Sequence, residues 1–239
     1  MPAAPTLSIV LPVHNEAENL GALLAGIDAA VRERCEIIIV DDASSDDGAA
    51  VAAGFKRELS LREESPVAGI DVITLPAQGG QARAIMTGLR AARGATILTM
   101  DADLQYDPAD IPRLLAKLAG CDMVCGVRRN RSDGTARLLC SRLANAFRNL
   151  VTGDSLHDGG CIFRVMRRPC LAAILPLDGR LQECDFFFHP LFVRKAGFRV
   201  EEVPVAHRPR GAGRTKYRLV RGRFWSGIAA CFTARRLCT

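Results

Sequence analysis

Strand-like and helix-like segments alternate along the first half of the chain, and this alternation constrains the fold more than any other sequence feature. Short runs of β-branched and aliphatic residues, such as Glu36–Val40, alternate with longer stretches of helical apolar spacing, such as Ala17–Val31. This pattern is typical of an α/β domain with a mainly parallel sheet and helices on both faces. The other predicted strands are Thr6–Leu11, Asp71–Leu75, Thr96–Met100 and Met123–Gly126, and the other predicted helices are Gly48–Leu61, a helix opening at Gly80, and Pro108–Ala119.

Polar residues stand directly after several of these strands. Right-handed crossovers bring the carboxyl ends of parallel strands to one edge of the sheet. The sequence therefore predicts a ligand site at that edge, and the residues it would bring together are His14, Asp42, Gly79, Asp101 and Asp103.

Asp101 and Asp103 form the most informative pair at this edge. They follow a short apolar strand and are separated by one residue, so both can face the same side if the extended geometry persists. Two close carboxylates repel unless a positive group lies between them, and hard oxygen ligands suit Mg²⁺ or Mn²⁺. The alternative is an acidic turn that caps the next helix, since Asp107 and Asp110 follow at once.

Asp42 and a glycine-rich loop supply two further candidates for ligand binding. An acidic residue at the end of a parallel strand often contacts a ribose or base, although Ser44–Asp47 can equally cap a helix. The segment Gln78–Gly88 opens a helix with two glycines and can present backbone amides to phosphate. Its glycine spacing matches neither the dinucleotide motif nor the P-loop.

After Met123–Gly126 the sequence becomes rich in arginine. Six arginines lie between residues 128 and 148 against one acidic residue, Asp133, which indicates that an anion is handled there. Ala136–Val151 has helical periodicity, and its apolar stripe is predicted to face the core: Leu139, Leu143, Ala146, Phe147 and Leu150. Strand-like character is predicted for Asp158–Arg164 and Arg199–Val205, and a helix for the stretch from Leu181 to Lys195. His157 and His189 lack metal-ligand spacing and are predicted to be structural.

Composition favours a cytoplasmic protein with one sizeable domain. The chain has 239 residues, of which 49% are hydrophobic, and lacks an apolar run of the ~20 residues that cross a bilayer. The N-terminus lacks the regions of a secretory signal, and nine cysteines, an odd number without zinc-site spacing, suit free thiols in a reducing compartment.

The net charge of +6 is concentrated at the C-terminus. Residues 207–239 contain nine lysines and arginines and no acidic residue, so a polyanionic partner is expected: a phosphorylated substrate, an anionic membrane or a nucleic acid. Only two tyrosines and one tryptophan are available for base stacking, so nucleic acid is disfavoured. From Leu219 to Leu237 the pattern fits either a basic amphipathic helix at a membrane interface or a helix packed on the domain.

Seven motifs, in order, resemble the family 2 inverting glycosyltransferases, in particular the polyprenyl-phosphate (dolichol-phosphate mannose synthase-like) branch. The motifs are SIVLPVHNEAENL, IIIVDDASSDDG, QGGQARAIMTGL, DADLQYDP, CGVRR, SRLANAFRNLVTGDSLHDGGCIFRV and VEEVPVAHRPRGAGRTKY. The resemblance implies a GT-A-type fold, a mainly parallel Rossmann-like sheet, in residues 1–206. Within it, about 1–127 would bind the nucleotide sugar and about 128–206 the acceptor, and 207–239 would form the basic loop and membrane-interface helix.

The resemblance also implies roles for individual residues. The nucleotide sugar would be bound by Pro12, His14, Glu16, Asp42, Gly80, Gln81, Asp101, Ala102, Asp103 and Gln105, with Mg²⁺ or Mn²⁺ held by Asp101 and Asp103. The acceptor phosphate would be bound by Arg128, Arg137 and Ser141. Arg214 and Lys216 would close over the diphosphate, and the catalytic set is therefore Asp101, Asp103, Arg128, Arg214 and Lys216.

The implied reaction moves a sugar from a nucleoside diphosphate to a polyprenyl phosphate at the cytoplasmic face of the membrane. A phosphate acceptor is already ionised and needs no carboxylate base, whereas a hydroxyl acceptor would use Asp185 or Glu183. Gly159 stands where many relatives have Thr or Ser, and Gln78 and Arg83 also depart from the family pattern. The sugar, the base, the lipid and a homo-oligomeric state remain open.

Overall fold

The computed structural model describes residues 5–62, 65–129, 135–181, 184–211 and 221–238, and within these ranges the side chains of 135–140 and 221–225 are not described. These ranges contain seven strands that form one sheet. The strands are β1 Leu7–Val13, β2 Cys35–Asp41, β3 Val67–Thr74, β4 Thr96–Thr99, β5 Met123–Arg129, β6 Arg164–Arg167 and β7 Val200–Ala206.

Eight α-helices connect and cover these strands within the described ranges. They are α1 Ala17–Ala30, α2 Gly48–Ser60, α3 Gly80–Ala91, α4 Ile111–Leu118, α5 Thr135–Thr152, α6 Leu171–Ile174, α7 Asp185–Lys195 and α8 Arg221–Cys238. From β1 to β5 the strands and helices alternate as the sequence predicts. None of the helices in the described residues is both long enough and apolar enough to span a bilayer.

The sheet has the order β3-β2-β1-β4-β6-β5-β7, with β1 near its centre. Ile9 of β1 is in register with Ile37 of β2 on one side and Leu98 of β4 on the other, and both pairings are parallel. β6 is antiparallel to both β4 and β5, whereas β5 and β7 are parallel. The sheet is therefore mainly parallel, as predicted.

The prediction of a strand at Asp158–Arg164 is wrong in its position, since β6 spans Arg164–Arg167. The chain is irregular from Asp158 to Phe163, and the strand begins only at Arg164. Asp158 is pulled out of extended pairing because its carboxylate binds the Arg128 side chain and backbone.

The core lies on both faces of the sheet. On one face β1 and β2 pack against α1, α2 and α4 through residues such as Leu23, Phe55 and Leu114. On the other face the sheet packs against α3, α6 and α7 through residues such as Ile85 and Val193. Helices therefore cover both faces, as the alternating pattern predicts. A third cluster joins α7 to α8, so part of α8 packs on the domain.

The apolar stripe of α5 does not face the core, and this prediction is wrong. Leu143 is 61% exposed and Leu150 is 83% exposed, and Phe147 is also exposed. Arg148 is buried instead, because its guanidinium donates to the Leu156 carbonyl and lies 3.7 Å from Asp154. The helix is thus rotated so that an arginine satisfies buried acceptors while its leucines face outward. Ala146 is exposed as well, and the Leu139 side chain lies outside the described set.

The cysteines agree with the sequence prediction of free thiols. The eight cysteines with described side chains form no disulfide, and most of them are buried. Burial raises the pKa of the thiols of Cys35 and Cys125 to about 12, so both are unreactive. His189 is buried, and His157 Nδ1 lies 2.6 Å from a carboxylate oxygen of Glu202, which accepts a hydrogen bond from it. A structural role for both histidines stays a prediction.

Candidate active site

The loops after β1 and β2 meet at the carboxyl edge of the sheet. His14 Nδ1 lies 2.8 Å from the Asp42 carbonyl, and His14 Nε2 lies 3.2 Å from the Gln78 amide nitrogen. Asn15 accepts a hydrogen bond from the Ser45 amide at 2.7 Å. The structure therefore brings together residues from three separate loops, as the parallel sheet predicts.

Asp42 joins the end of β2 to the start of α3. Its two carboxylate oxygens accept hydrogen bonds from Gly79 N at 2.6 Å and Gly80 N at 2.9 Å. Gly80 has a φ of 82°, which glycine adopts without strain. Asp42 is only 4% exposed, and its two hydrogen bonds hold the glycine-rich loop in place. Its contact with a base or ribose stays a prediction.

Asp101 lies where α3 meets the end of β4. Its Oδ1 accepts a hydrogen bond from the Gln81 side-chain amide at 2.6 Å. Burial, and next the charge of Asp103, raises the pKa of Asp101 to about 8, while the charge of Arg128 acts in the opposite direction. Two carboxylates in a sheltered place are thus costly to ionise together.

Asp103 is the second carboxylate, and it is surrounded by donors. Its Oδ1 accepts from the Gln105 amide at 3.1 Å, and its Oδ2 lies 3.4 Å from Arg210 Nη1. Burial raises the pKa of Asp103, and the Gln105 amide and Arg210 oppose this shift. The other end of the Arg210 guanidinium donates to Glu16, which is itself 8% exposed.

Three residues other than glycine at this edge have positive φ values. They are Asn15 at 52°, Ala43 at 53° and Leu104 at 60°, and each follows a strand of the site. Such conformations cost about 1 kcal/mol or more each and persist only where surrounding contacts enforce them. Their concentration after β1, β2 and β4 is a second indication, independent of residue type, that this edge is functional.

Arg128 lies at the end of β5 and makes a bidentate ion pair. Its Nε and Nη2 each lie 2.7 Å from an oxygen of Asp158. Burial by itself would lower the pKa of Arg128, but the hydrogen bonds and charge of Asp158 raise it above its ordinary value. Arg128 therefore stays charged and is held in one orientation.

Asp185, the candidate base for a hydroxyl acceptor, is buried at the start of α7. Its carboxylate accepts from Gly179 N at 3.2 Å and Leu181 N at 2.9 Å, and burial raises its pKa. Both oxygens hold the preceding turn rather than the first amides of α7, so Asp185 has a structural role, and its use as a base stays a prediction. Glu183, the other candidate, lies outside the described residues.

The remaining predicted residues divide into those that the structure places and those that it does not. Pro12 is half-buried in β1, Ala102 is buried between the two carboxylates, and Ser141 lies on α5. Arg214 and Lys216 lie outside the described residues, as does the side chain of Arg137. Their roles stay predictions.

The carboxylate pair fits a divalent cation. Asp101 and Asp103 supply hard oxygens whose mutual repulsion a cation relieves, and a cationic side chain already lies against Asp103. Within the described ranges no three His, Cys, Asp or Glu side chains form a fuller ligand set. Two carboxylates are enough for Mg²⁺ when water and substrate phosphates complete its coordination.

Sequence reasoning missed two functional partners at this edge. Asp158 and Arg210 each stand within a motif, and Arg210 also belongs to the basic C-terminal run, but the sequence predicts no individual role for either residue. Each lies far along the chain from its partner, so no local spacing indicated the pair. One available signal was the lone carboxylate of the Asp158–Gly160 turn close to a run of arginines.

The sequence profile of glycosyl transferase family 2 matches residues 8–175. Among similar proteins, an undecaprenyl-phosphate 4-deoxy-4-formamido-L-arabinose transferase of Klebsiella pneumoniae is 36% identical over 224 residues, covering 92% of this chain and 65% of the relative. The enzyme of that name from Pseudomonas fluorescens is 37% identical over 215 residues, covering 88% and 60%. The chain thus spans less than two thirds of the length of these relatives.

Solved structures show the same fold. Glucosyl-3-phosphoglycerate synthase from Mycobacterium tuberculosis, in complex with Mg²⁺ and uridine diphosphate, aligns with a TM-score of 0.66 at 19% identity, covering 98% of this chain and 79% of that one. The same enzyme with Mn²⁺, UDP-glucose and phosphoglyceric acid aligns with a TM-score of 0.63, again at 19% identity, covering 98% and 80%. The predicted GT-A-type fold is confirmed. Since the family profile matches most of the chain, this protein belongs to glycosyl transferase family 2.

Proposed function

We propose that this protein transfers a sugar from a nucleoside-diphosphate sugar to a polyprenyl phosphate, with the help of Mg²⁺ or Mn²⁺. The observation that carries the proposal is the position of Arg128 beside the carboxylate pair. Its charge acts on Asp101, and Asp158 holds its guanidinium in place. A guanidinium held in place next to a candidate metal site suits a reaction in which both the donor and the acceptor carry phosphate.

The donor half of the site is the edge formed after β1, β2 and β4. His14, Gln78 and the glycine-rich loop held by Asp42 lie along it, and Gln81, from the helix that this loop opens, donates to Asp101. A divalent cation held by the Asp101 and Asp103 carboxylates would neutralise charge on the departing nucleoside diphosphate. Arg210, at the same place, adds a cationic side chain of the protein itself.

The chemistry of a phosphate acceptor explains why a carboxylate base is not required. An oxygen of the acceptor phosphate forms the new bond to the anomeric carbon as the bond to the diphosphate breaks, and no proton has to be removed. Arg128 would orient that phosphate for in-line attack, because positioning alone contributes strongly to such reactions. The Asp185 carboxylate is buried and already accepts two backbone hydrogen bonds, which supports a phosphate acceptor over a hydroxyl. The relatives named for undecaprenyl phosphate support it too.

An anionic membrane surface at the cytoplasmic side is the proposed place of action. The outward face of α5 carries Leu143, Phe147 and Leu150, and Phe147 meets Phe232 of α8 with ring centroids 6.4 Å apart. Exposed arginines accompany this apolar face: Arg142, Arg235 and Arg236. Apolar side chains flanked by basic ones suit the boundary of a membrane with anionic lipids. We call the face formed by these seven residues the α5–α8 face.

The decisive experiment is a transfer assay with the purified full chain. A panel of UDP- and GDP-sugars is offered with polyprenyl phosphate, in Mn²⁺ or in EDTA, for wild type, Asp103→Asn and Asp71→Asn. Asp71 is an exposed carboxylate on β3 and serves as the matched control. A metal-dependent glycolipid that disappears in Asp103→Asn and persists in Asp71→Asn is expected. Sugar transfer only to hydroxyl acceptors would refute the phosphate acceptor.

A further inference from the structure

We propose that Arg210 and the divalent cation compete for Asp103, so that Arg210 is a built-in counter-ion that limits how tightly the cation binds. This inference rests on the proposed metal dependence. It assigns a role to a residue that stands in the last motif but was not in the predicted catalytic set. The role is one of positioning and competition rather than of chemistry on the substrate.

The contacts of Arg210 place its guanidinium between two acidic side chains. One nitrogen donates to Glu16, and the other lies 3.4 Å from Asp103 Oδ2. The three side chains are sheltered, with exposures of 18% for Arg210, 14% for Asp103 and 10% for Glu16. Ion pairs sheltered in this way are screened less by water than surface pairs are, and so they influence affinity more.

Both oxygens of Asp103 are engaged, and they are engaged differently. Oδ1 accepts the Gln105 amide within its own loop, whereas Oδ2 faces Arg210. Oδ2 is therefore the oxygen that both the guanidinium and a metal ion would use. A cation held between Asp101 and Asp103 would meet the positive charge of Arg210 at this oxygen, so its binding would favour release of Asp103 by the guanidinium.

The backbone around Arg210 is docked on the loop that carries the two aspartates. Arg208 N donates to the Gln105 carbonyl at 2.8 Å, and Gly211 N donates to the Asp103 carbonyl at 3.2 Å. A Cβ at Gly211 would lie 2.9 Å from Asn19 Oδ1 and 3.0 Å from Leu104 Cδ1, so a larger residue there would require these side chains to shift. Because the backbone is held on this loop, the Arg210 side chain is positioned to reach Asp103. Exchange with a cation then requires movement of the side chain alone.

Glu16 makes the exchange reversible. Its carboxylate binds the guanidinium at the nitrogen that does not face Asp103. When Asp103 is released, this second contact can keep Arg210 at the edge of the site, ready to return. Binding of the cation then costs Arg210 only one of its two acidic contacts.

The test measures Mn²⁺ affinity without any donor, by isothermal titration calorimetry and by the electron paramagnetic resonance signal of free Mn²⁺. Arg210→Ala is expected to bind Mn²⁺ about tenfold more tightly than wild type, a change of about 1.4 kcal/mol. Arg210→Gln, which keeps most of the length of the side chain, should behave in the same direction. Thermal unfolding of each variant verifies that it is folded.

Arg208→Ala is the matched control for charge. Arg208 lies two residues away in the same segment, but its guanidinium pairs with Asp107 and is largely exposed. Its loss removes one positive charge nearby without touching Asp103, so it should change Mn²⁺ affinity less than about twofold. An equal tightening in Arg208→Ala and Arg210→Ala would show a general effect of charge and overturn the inference.

The outcomes separate this inference from the proposed function. Mn²⁺ binding that is lost in Asp103→Asn but equal in wild type and Arg210→Ala would overturn the competition and leave the metal site intact. Absence of Mn²⁺ binding in wild type and in every Arg210 variant would overturn both. Binding that is weak in wild type and strong in Arg210→Ala would support both.

Discussion

Arg128 and Asp158 are joined by two parallel hydrogen bonds of 2.7 Å, although 30 residues separate them in sequence. The pair ties the end of β5 to the irregular stretch before β6. It also fixes the one described arginine that the family resemblance assigns to the acceptor phosphate. The orientation of the proposed acceptor site thus depends on a carboxylate that does not itself need to touch the substrate.

Asp158→Ala is expected to destabilise the protein by about 3–5 kcal/mol, because it leaves the Arg128 charge buried without its carboxylate. Urea unfolding measures the change. Glu201→Ala is the matched control, since the Glu201 pair with Arg199 is exposed and its loss should destabilise the protein far less. Equal losses in the two variants would mean that the Arg128 pair is worth no more than a surface pair.

Asp101→Asn is expected to stabilise the protein in EDTA at pH 8. The folded-state pKa of Asp101, about 8, lies above its ordinary value of 3.8, so the folded state holds a proton that the unfolded state releases. Stability is therefore lost as pH rises from about 4 towards 8, and the amide removes this loss.

The thermal midpoint measures this effect and should be higher in Asp101→Asn by about 2–5 °C at pH 8 and similar to wild type near pH 4. Added Mn²⁺ should raise the midpoint of wild type and leave that of Asp101→Asn unchanged. A variant that is less stable than wild type in EDTA at pH 8 would contradict the burial argument.

His189 is expected to make the protein less stable in mild acid. Burial, and next the charge of Arg164, lowers the pKa of His189 to about 3, below the value near 6.5 of an unfolded chain. Stability is then fully present above about pH 6.5 and is lost as pH falls towards 3, by about 1.4 kcal/mol for each unit in that range.

Urea midpoints at pH 7.5 and 5.5 measure this loss. His189→Leu should show a smaller difference between the two pH values than wild type does. His157→Gln is the control, because His157 is exposed and lies beside Glu202. This variant should retain the wild-type difference between the two urea midpoints. A His189→Leu protein with the full wild-type difference would assign the pH dependence to other groups.

The α5–α8 face is expected to control binding to anionic vesicles. Replacing Leu143 and Leu150 by serine removes two exposed leucines, each worth about 1.5–3 kcal/mol if it is fully buried in lipid. Cosedimentation should therefore show at least a tenfold weaker association for the double variant.

Leu61 offers a matched control for this measurement. It is 81% exposed at the end of α2, on a part of the surface that the α5–α8 face does not include. Leu61→Ser should bind vesicles as wild type does. If it weakens binding as much as the α5 variant does, the association is not specific to the α5–α8 face.

Local patterning was enough to predict the elements of the first half of the chain. The β-branched runs of β1 and β2 can be buried only as strands inside a sheet, and the spacing of α1 leaves one face to cover it. The carboxyl-edge location of Asp101 follows from the same pattern, because parallel strands share an edge. These features depend on neighbours within a few residues, and so the sequence determines them directly.

Tertiary structure alone decided the features that join distant residues. The rotation of α5, which buries Arg148 and exposes Leu150, depends on carbonyl and carboxylate groups at residues 154–156 that helical periodicity does not register. The antiparallel placement of β6 and the Arg210 contact with Asp103 likewise depend on which parts of the chain the folded sheet brings together. The periodicity of hydrophobic residues specifies the strands and helices, whereas the pairing of buried charges is determined only when those strands and helices pack together.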